Sequence, residues 1–373
     1  MKIQLSSPDI SDDDIRSVVS VLKTPNLSLG PVLERFERQI CKYSGAKYAV
    51  AVNSGTSALH LIIKSFGIGV GDEVITTPFS FISSSNCVLY EGAKPVFVDI
   101  DPKTYNIDPD LIESKINKKT KAILAVDVFA QPADWDSLRK IANKHGLILI
   151  EDSAEALGSE YKGKKCGTLG DAGIFSFYPN KQITTGEGGV IVTNNKTIAE
   201  ICQSLSNQGR AQKNNKWLDH ARLGYNYRMS DINAALGLSQ LDKIKSIIQK
   251  RSCVASLYNE LLKEFDGVVL PHIEPGAKIN WFVYTVKLSK KYSKNRTDKA
   301  IRELVSRGIE CHEYFRSIHL QPLYRKMFGY KRGDFPICEA VSDRAIALPF
   351  FNSLSKQQIK FVVRNLKEVL IIV

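Results

Sequence analysis

The stretch IEDSAEALGSEYKGKKCGTLGDAGIFSFYPNKQITTGEGG, residues 150–189, sets the terms for the rest of the chain. The apolar run LILI (147–150) ends in two acids, Glu151 and Asp152, and Glu155 follows close behind. A second β-rich run, AGIFSF (172–177), leads past Tyr178 to a single lysine, Lys181. Two threonines follow, then Gly-Glu-Gly-Gly (186–189), then the strand-like GGVIVTN (188–194). A lysine in a solvated loop needs no such surroundings. At a strand end, in a partly apolar pocket, a lysine amine has a lowered pKa and becomes nucleophilic toward an aldehyde. The acid at the other strand end also needs a partner if it is buried. For Asp152 that could be a metal, an arginine or a protonated ring nitrogen, unless the acid merely caps the next turn. No set of metal ligands surrounds it in sequence, so no metal site is expected.

Outward from this stretch, strand and helix signals alternate. KYAVAVN (47–53), DEVITTP (72–78), KPVFVDI (94–100) and KAILAVDVF (121–129) read as strands, as do the three runs already named. Helical patterns lie at 11–23, 31–43, 54–66, 81–92, near 108–117, and at 133–146, which ends on Gly146. Near-continuous apolar strands between helices predict an α/β fold with a mostly parallel sheet covered on both faces. Ligands of such sheets bind beyond the carboxyl ends of the strands. The region 229–263 is mainly helical and suits a bridge between domains; the strand-like NWFVYTVKL (280–288) and helices near 296–307 and 355–369 suggest a smaller α+β domain. The expected division is 1–245 for a large cofactor-binding domain and 246–373 for the small one, with the N-terminal helices able to pack on the latter.

The 373 residues carry 51 Lys and Arg against 39 Asp and Glu, a net charge of +12. Anionic partners are therefore plausible, but the lysines are scattered in segments such as NKKTK (117–121) rather than gathered in one block. No aromatic-interleaved basic motif supports nucleic-acid binding. No stretch approaches the ~18 apolar residues of a membrane span, so no membrane insertion is expected. The N-terminus has no signal-peptide core, and seven singly scattered cysteines without a CxxC pair suit a reducing cytoplasm.

One more feature joins Lys181 and Asp152. Asn53-Ser54-Gly55-Thr56-Ser57 falls between a strand and a helix, where backbone amides and hydroxyls make a phosphate cradle or simply an ordinary capped helix start. It is neither GxxxxGK[ST] nor GxGxxG. A phosphate cradle, a strand-end acid and a lysine about 30 residues beyond it together match the needs of pyridoxal phosphate: an anchor, a partner for the ring nitrogen and an amine for the Schiff base.

The chain strongly resembles the DegT/DnrJ/EryC1/StrS family of nucleotide-sugar aminotransferases, enzymes with the aspartate-aminotransferase-like fold of type I. The likeness covers nearly the full length. It rests on AVNSGTSALHL, DEVITTPFSFISSSNCVLYEGAKPVFVDID, QPADW, the 150–189 stretch, NQGR and LGYNYRMSDINAALGLSQL, in that order. The resemblance implies that Lys181 forms the Schiff base and later moves the proton, and that Asp152 holds the ring nitrogen protonated. It places Gly55, Thr56 and Ser176 at the phosphate and Phe81 against the ring, where plain core packing is the alternative. Asn226 would reach the same phosphate across a homodimer with shared active sites. Glu155 stands where many relatives carry Gln or His near the ring hydroxyl, so its role is open. Tyr178, Glu187, Arg210, Tyr314 and His319 are candidate substrate residues; His319 could equally be structural. The reaction implied takes an amino group from L-glutamate to a keto group, most commonly C4, of a nucleotide-linked 6-deoxy sugar for a surface polysaccharide or glycoconjugate. A 3-keto sugar nucleotide or a cyclitol ketone is the alternative acceptor. Sugar dehydratases on the same scaffold replace the lysine by histidine, and Lys181 argues against that. A basic regulatory nucleic-acid-binding protein is the rival from another class, supported only by the charge.

Overall fold

The computed structural model describes residues 1–210 and 219–373. Its strands are β1 (Tyr48–Val52), β2 (Glu73–Thr76), β3 (Lys94–Phe97), β4 (Thr120–Val126), β5 (Ile148–Asp152), the hairpin pair β6 (Glu160–Tyr161) and β7 (Lys164–Lys165), β8 (Ala172–Ser176), β9 (Gly189–Thr193), β10 (Val268–Val269), β11 (Ala277–Lys278), β12 (Tyr284–Leu288), β13 (His312–Glu313) and β14 (Ala345–Leu348).

Seven of them form the main sheet in the order β1-β9-β8-β5-β4-β2-β3. The β3-β2-β4-β5-β8 run is parallel, as the apolar strands predict. Strand β9 runs against both of its neighbours, so its first residue, Gly189, lies level with the last residues of β1 and β8, Val52 and Ser176. The Gly-Glu-Gly-Gly cluster is thereby delivered to the edge where the six other strands end.

Successive residues of a strand face opposite sides of a sheet. On β4, Ala122, Leu124 and Val126 enter one core while Ile123 and Ala125 enter the other. On β5, Ile150 shares a core with Leu59 and Ile62 of helix Gly55–Ser65, and Leu149 packs with Trp135 and Leu138 of helix Trp135–His145. The same parity sends Asp152 toward helix Gly55–Ser65 and Glu151 away from it. Glu151 accepts hydrogen bonds from the Leu169 and Gly170 N–H groups on the far side, with Asp127, Cys166 and Ser153 close by.

The second sheet, β10-β12-β14-β13, is antiparallel and packs on helices Ile244–Leu262 and Lys356–Ile372 through residues such as Tyr258, Leu262, Val362 and Leu366. The expected boundary at 245/246 falls in the first turn of helix Ile244–Leu262. Helix Asp12–Leu22 is tied to the bridging region by Lys243, whose ammonium reaches Asp14 at 2.5 Å. The segment before that helix does reach the second sheet's core, through Ile3.

Three expectations change. The helix expected near 108–117 is instead two short 3-10 turns, Pro109–Leu111 and Glu113–Lys115. Asp108 caps the first turn, and only Ile112 is buried there, so no apolar stripe exists to extend it. The strand expected from 280 begins only at Tyr284, because the carbonyls of residues 280–282 are occupied by the side chains of Gln182 and Arg251. Helix Lys196–Ser206 and strand β14 were not foreseen: the first follows its cap Asn195 directly after β9, and the second is only four residues long. Among the described residues no helix is long and apolar enough to cross a membrane.

Candidate active site

A cavity of about 420 Å³ opens at the carboxyl ends of β4, β5 and β8 and the N-terminus of helix Gly55–Ser65. Its floor begins with that helix. Ser54 is the N-cap: its Oγ accepts the Ser57 N–H at 3.1 Å, while Ser57 Oγ donates to Asn53 at 2.7 Å. The first N–H groups of a helix have no intrahelical acceptor. With that of Ser57 taken, those of Gly55 and Thr56 face the cavity at the positive end of the helix dipole, a ready anion site. A Cβ on Gly55 would stand 3.0 Å from Ser176 Cβ and 3.3 Å from its Oγ, so glycine lets the Ser176 hydroxyl come up to this helix end. Gly189 is needed as well. A Cβ there would lie 2.5 Å from the Ser54 carbonyl carbon and 2.6 Å from Gly55 N, atoms of backbone that cannot swing aside.

Above the cradle stand the acids and the lysine. Asp152 is buried; its Oδ2 accepts from Ser84 Oγ at 2.7 Å and its Oδ1 from the Ala154 N–H at 3.1 Å. Ser84 is held in turn by Ser80 at 2.9 Å. Burial raises the Asp152 pKa, with the Ser84 and Ala154 hydrogen bonds and Lys181 opposing it. The Lys181 ammonium lies 3.6 Å from Glu155 Oε1 and 3.9 Å from the centre of the Phe282 ring. Burial lowers its pKa against the pull of Glu155 and Asp152. Burial likewise pushes Glu155 up, from an ordinary 4.5 to about 6. Both partners thus shift toward their neutral forms, so desolvation outweighs their attraction.

This has a pH consequence for the cofactor-free chain. Folded Glu155 keeps its proton to higher pH than the unfolded chain does. Its favourable contribution is therefore complete below about pH 4.5 and lost as pH rises to about 6. Glu155→Gln should remove that loss: its stability relative to wild type should improve by about 2 kcal/mol between pH 4.5 and 7. Urea unfolding at the two pH values measures this, and a gap that does not change with pH refutes it.

The rim carries the remaining candidates. Phe81 is 62% exposed and Tyr178 50% exposed, both on the cavity, so Phe81 is not a core residue. Glu187, Asn180 and Tyr314 also line it. Three expected residues lie elsewhere. His319 is 0% exposed and sits in the core away from the cavity lining, bonded to Glu339 at 3.0 Å and packed on Phe335, which corrects its placement in the substrate pocket. Its neighbours are apolar rings, and its partner acid comes from helix Pro336–Ser342, a short element the sequence pattern does not reveal. Arg210 is also off the cavity lining, bridged through its backbone to His220. Asn226 is exposed on the chain's surface, flanked by Tyr225 and Tyr227, which stack on each other and bond to Glu91 and His60. Ser84 and Asn180 were not expected. Ser84 belongs to a serine run with no distinguishing spacing, and Asn180 is masked by its neighbour Lys181.

The model of the DegT/DnrJ/EryC1/StrS aminotransferase family matches residues 8–367. The chain belongs to that family. Among relatives of this aminotransferase, the GDP-perosamine synthase of Caulobacter vibrioides is 37% identical, over 99% of each chain. Helicobacter pylori PseC, an aminotransferase involved in the biosynthesis of pseudoaminic acid, superposes with a TM-score of 0.96 at 31% identity, covering 100% of both chains. The pyridoxal phosphate form of the Streptococcus pneumoniae putative sugar aminotransferase Spr1654 superposes at 0.94 with 29% identity, over 99% of both. The enzyme is a pyridoxal-phosphate-dependent sugar aminotransferase of fold type I. Its residues fit the cofactor: Gly55 leaves room beside Ser176 at a helix N-terminus, a buried acid has hydrogen-bond donors and, among the described residues, a lysine as its one nearby cation, and that lysine is desolvated.

Proposed function

We propose that the enzyme moves an amino group from L-glutamate to the C4 keto group of a nucleotide-linked 6-deoxy sugar, for a surface polysaccharide or glycoconjugate. The observation that carries the reading is the convergence on one cavity of the Gly55–Thr56–Ser176 cradle, Asp152 and the desolvated Lys181, with exposed Phe81 and Tyr178 at the mouth. The likeness to a GDP-perosamine synthase and to PseC supports an amino-sugar product. When bound, pyridoxal phosphate supplies the amine-carrying aldehyde and an electron-withdrawing ring.

The chain's own residues do the rest. Gly55, Thr56 and Ser176 hold the phosphate. Asp152, aimed by Ser84 and the Ala154 N–H, keeps the ring nitrogen protonated. Lys181, with its pKa lowered by burial, takes and returns the proton at the substrate carbon, which works best with an amine near neutral pKa. Glu155, 3.6 Å from that amine, would favour its charged form and could face the ring hydroxyl of a bound cofactor. The decisive test incubates the loaded enzyme with glutamate and a panel of keto compounds, and identifies the amine by mass spectrometry. Amination of a 4-keto-6-deoxy sugar nucleotide is expected. Turnover only with a 3-keto sugar nucleotide or a cyclitol ketone refutes the C4 assignment.

Asn226 is proposed to complete the phosphate site of a second copy. Its stacked tyrosine neighbours hold the segment so that the asparagine faces outward. Mixing inactive Lys181→Ala with inactive Asn226→Ala should then restore roughly a quarter of wild-type activity, from random pairing of subunits. No recovery after proven subunit exchange would count against shared sites.

A further inference from the structure

Arg251, on helix Ile244–Leu262, is 4% exposed, and no carboxylate lies within salt-bridge reach of it among the described residues. Asp9, the acid whose charge favours its ionised form, pairs with Lys250 instead. A buried guanidinium without a counter-ion is costly, and among the described residues one donor, Nε, has no partner and the remaining bonds go to main-chain carbonyls. Nη2 reaches those of Lys181 at 3.1 Å and Asn180 at 3.5 Å; Nη1 reaches those of Phe282 at 3.3 Å and Trp281 at 3.4 Å.

These acceptors are not a random selection. One pair is the peptide of the cofactor lysine; the other belongs to the residue whose ring carries the lysine ammonium at 3.9 Å. The two segments are 100 residues apart in sequence, and the rigid fork of an arginine is suited to hold two such pairs at once. Gln182 joins them again from the other side, donating to the Glu155 and Asn280 carbonyls at 2.5 and 2.8 Å. An apolar side chain could fill the same space but would leave these four carbonyls without their donor, so it could not hold the two segments in register.

We propose that Arg251 is a positioning residue of the reaction, which fixes the Lys181 backbone against the Phe282 ring and so sets where the lysine amine stands and how readily it is protonated. The inference rests on the reading of Lys181 as the cofactor lysine. Asp152 and Glu155 are the other charged groups that face Lys181, and neither touches Arg251.

The test compares wild type, Arg251→Met and Arg251→Lys, each loaded with pyridoxal phosphate, together with Lys181→Ala. Four quantities are read: melting temperature, kcat and KM, the pH at which the visible cofactor–lysine band titrates, and the yield of borohydride-trapped cofactor on Lys181. Arg251→Met should melt somewhat lower than wild type, because four carbonyls lose a donor, and lose kcat roughly 10- to 100-fold with KM little changed, as a misplaced catalytic group does. Its band should titrate at higher pH, because a nearby positive charge is gone. Arg251→Lys, which keeps the charge but not the fork, should hold the titration near the wild-type value and still lose kcat. Unchanged kcat and titration in Arg251→Met overturn the proposal. So does a loss of kcat matched by a fall in melting temperature with the titration unmoved, for that is a structural staple. If the wild-type band is missing, or survives in Lys181→Ala, the reading of Lys181 itself has failed instead.

Discussion

Lys181→Ala should bind pyridoxal phosphate without the visible band of the lysine-bound cofactor, and lose turnover by ~10⁴-fold or more, the upper range of a general acid–base contribution. The reason is geometric. Among the residues that line the cavity, Lys181 is the one with an amine, and its neighbours Asp152, Glu155 and Tyr314 offer oxygens. None of these can form the covalent link, and the two carboxyls are held by the Ser84, Ala154 and Phe129 donors rather than free to follow a moving proton. Absorbance and steady-state kinetics on protein of unchanged melting temperature check the expectation. Retention of even a tenth of wild-type turnover would mean that another group carries the proton.

The second large effect is expected from Asp152→Asn. Asparagine has nearly the same shape; its Oδ1 can still accept the Ala154 N–H, and its amide can donate to the Ser84 hydroxyl once that rotates, so the cavity should keep its form. What it lacks is the negative charge that keeps a ring nitrogen protonated. In a water-excluded site such a preorganised charge is worth about 10²–10³ in kcat. The lysine-bound band should persist in this variant, which separates it from Lys181→Ala. Loss of the band would show that Asp152 governs cofactor binding, and wild-type turnover would show that the acid has no electrostatic part in the reaction.

Most of the main sheet could be read in advance because its strands are short apolar runs bounded by turns, and runs such as LILI and AGIFSF are buried on both faces. The direction of β9 could not be read, since an apolar pentapeptide looks the same either way round. It is this direction that brings Gly189 against Ser54. Of the site, Lys181, Asp152 and Gly55 were legible through residue type at strand ends, and Ser176 through the family resemblance. Glu155 was visible as an acid, but its raised pKa depends on burial that no local pattern encodes. His319 was misplaced for a related reason: a histidine in a polar-looking segment gives no sign that Phe335 and Glu339 will close over it. Ser84 and Arg251 were hidden because their importance lies wholly in what they touch across long sequence separations.

That separation has a consequence for how the protein is kept folded in use. The cavity draws on segments from Ser54 to Phe315, so no fragment or half-folded intermediate can present it whole. A ligand that recognises only the complete cavity binds the native state and not the unfolded chain. At a free concentration a hundred times its dissociation constant, it would add about 2.7 kcal/mol to stability, a sizeable part of what a domain possesses. Cofactor supply and protein lifetime are therefore coupled: starvation for the cofactor would thin the pool of enzyme through unfolding and proteolysis as well as by idling its active sites.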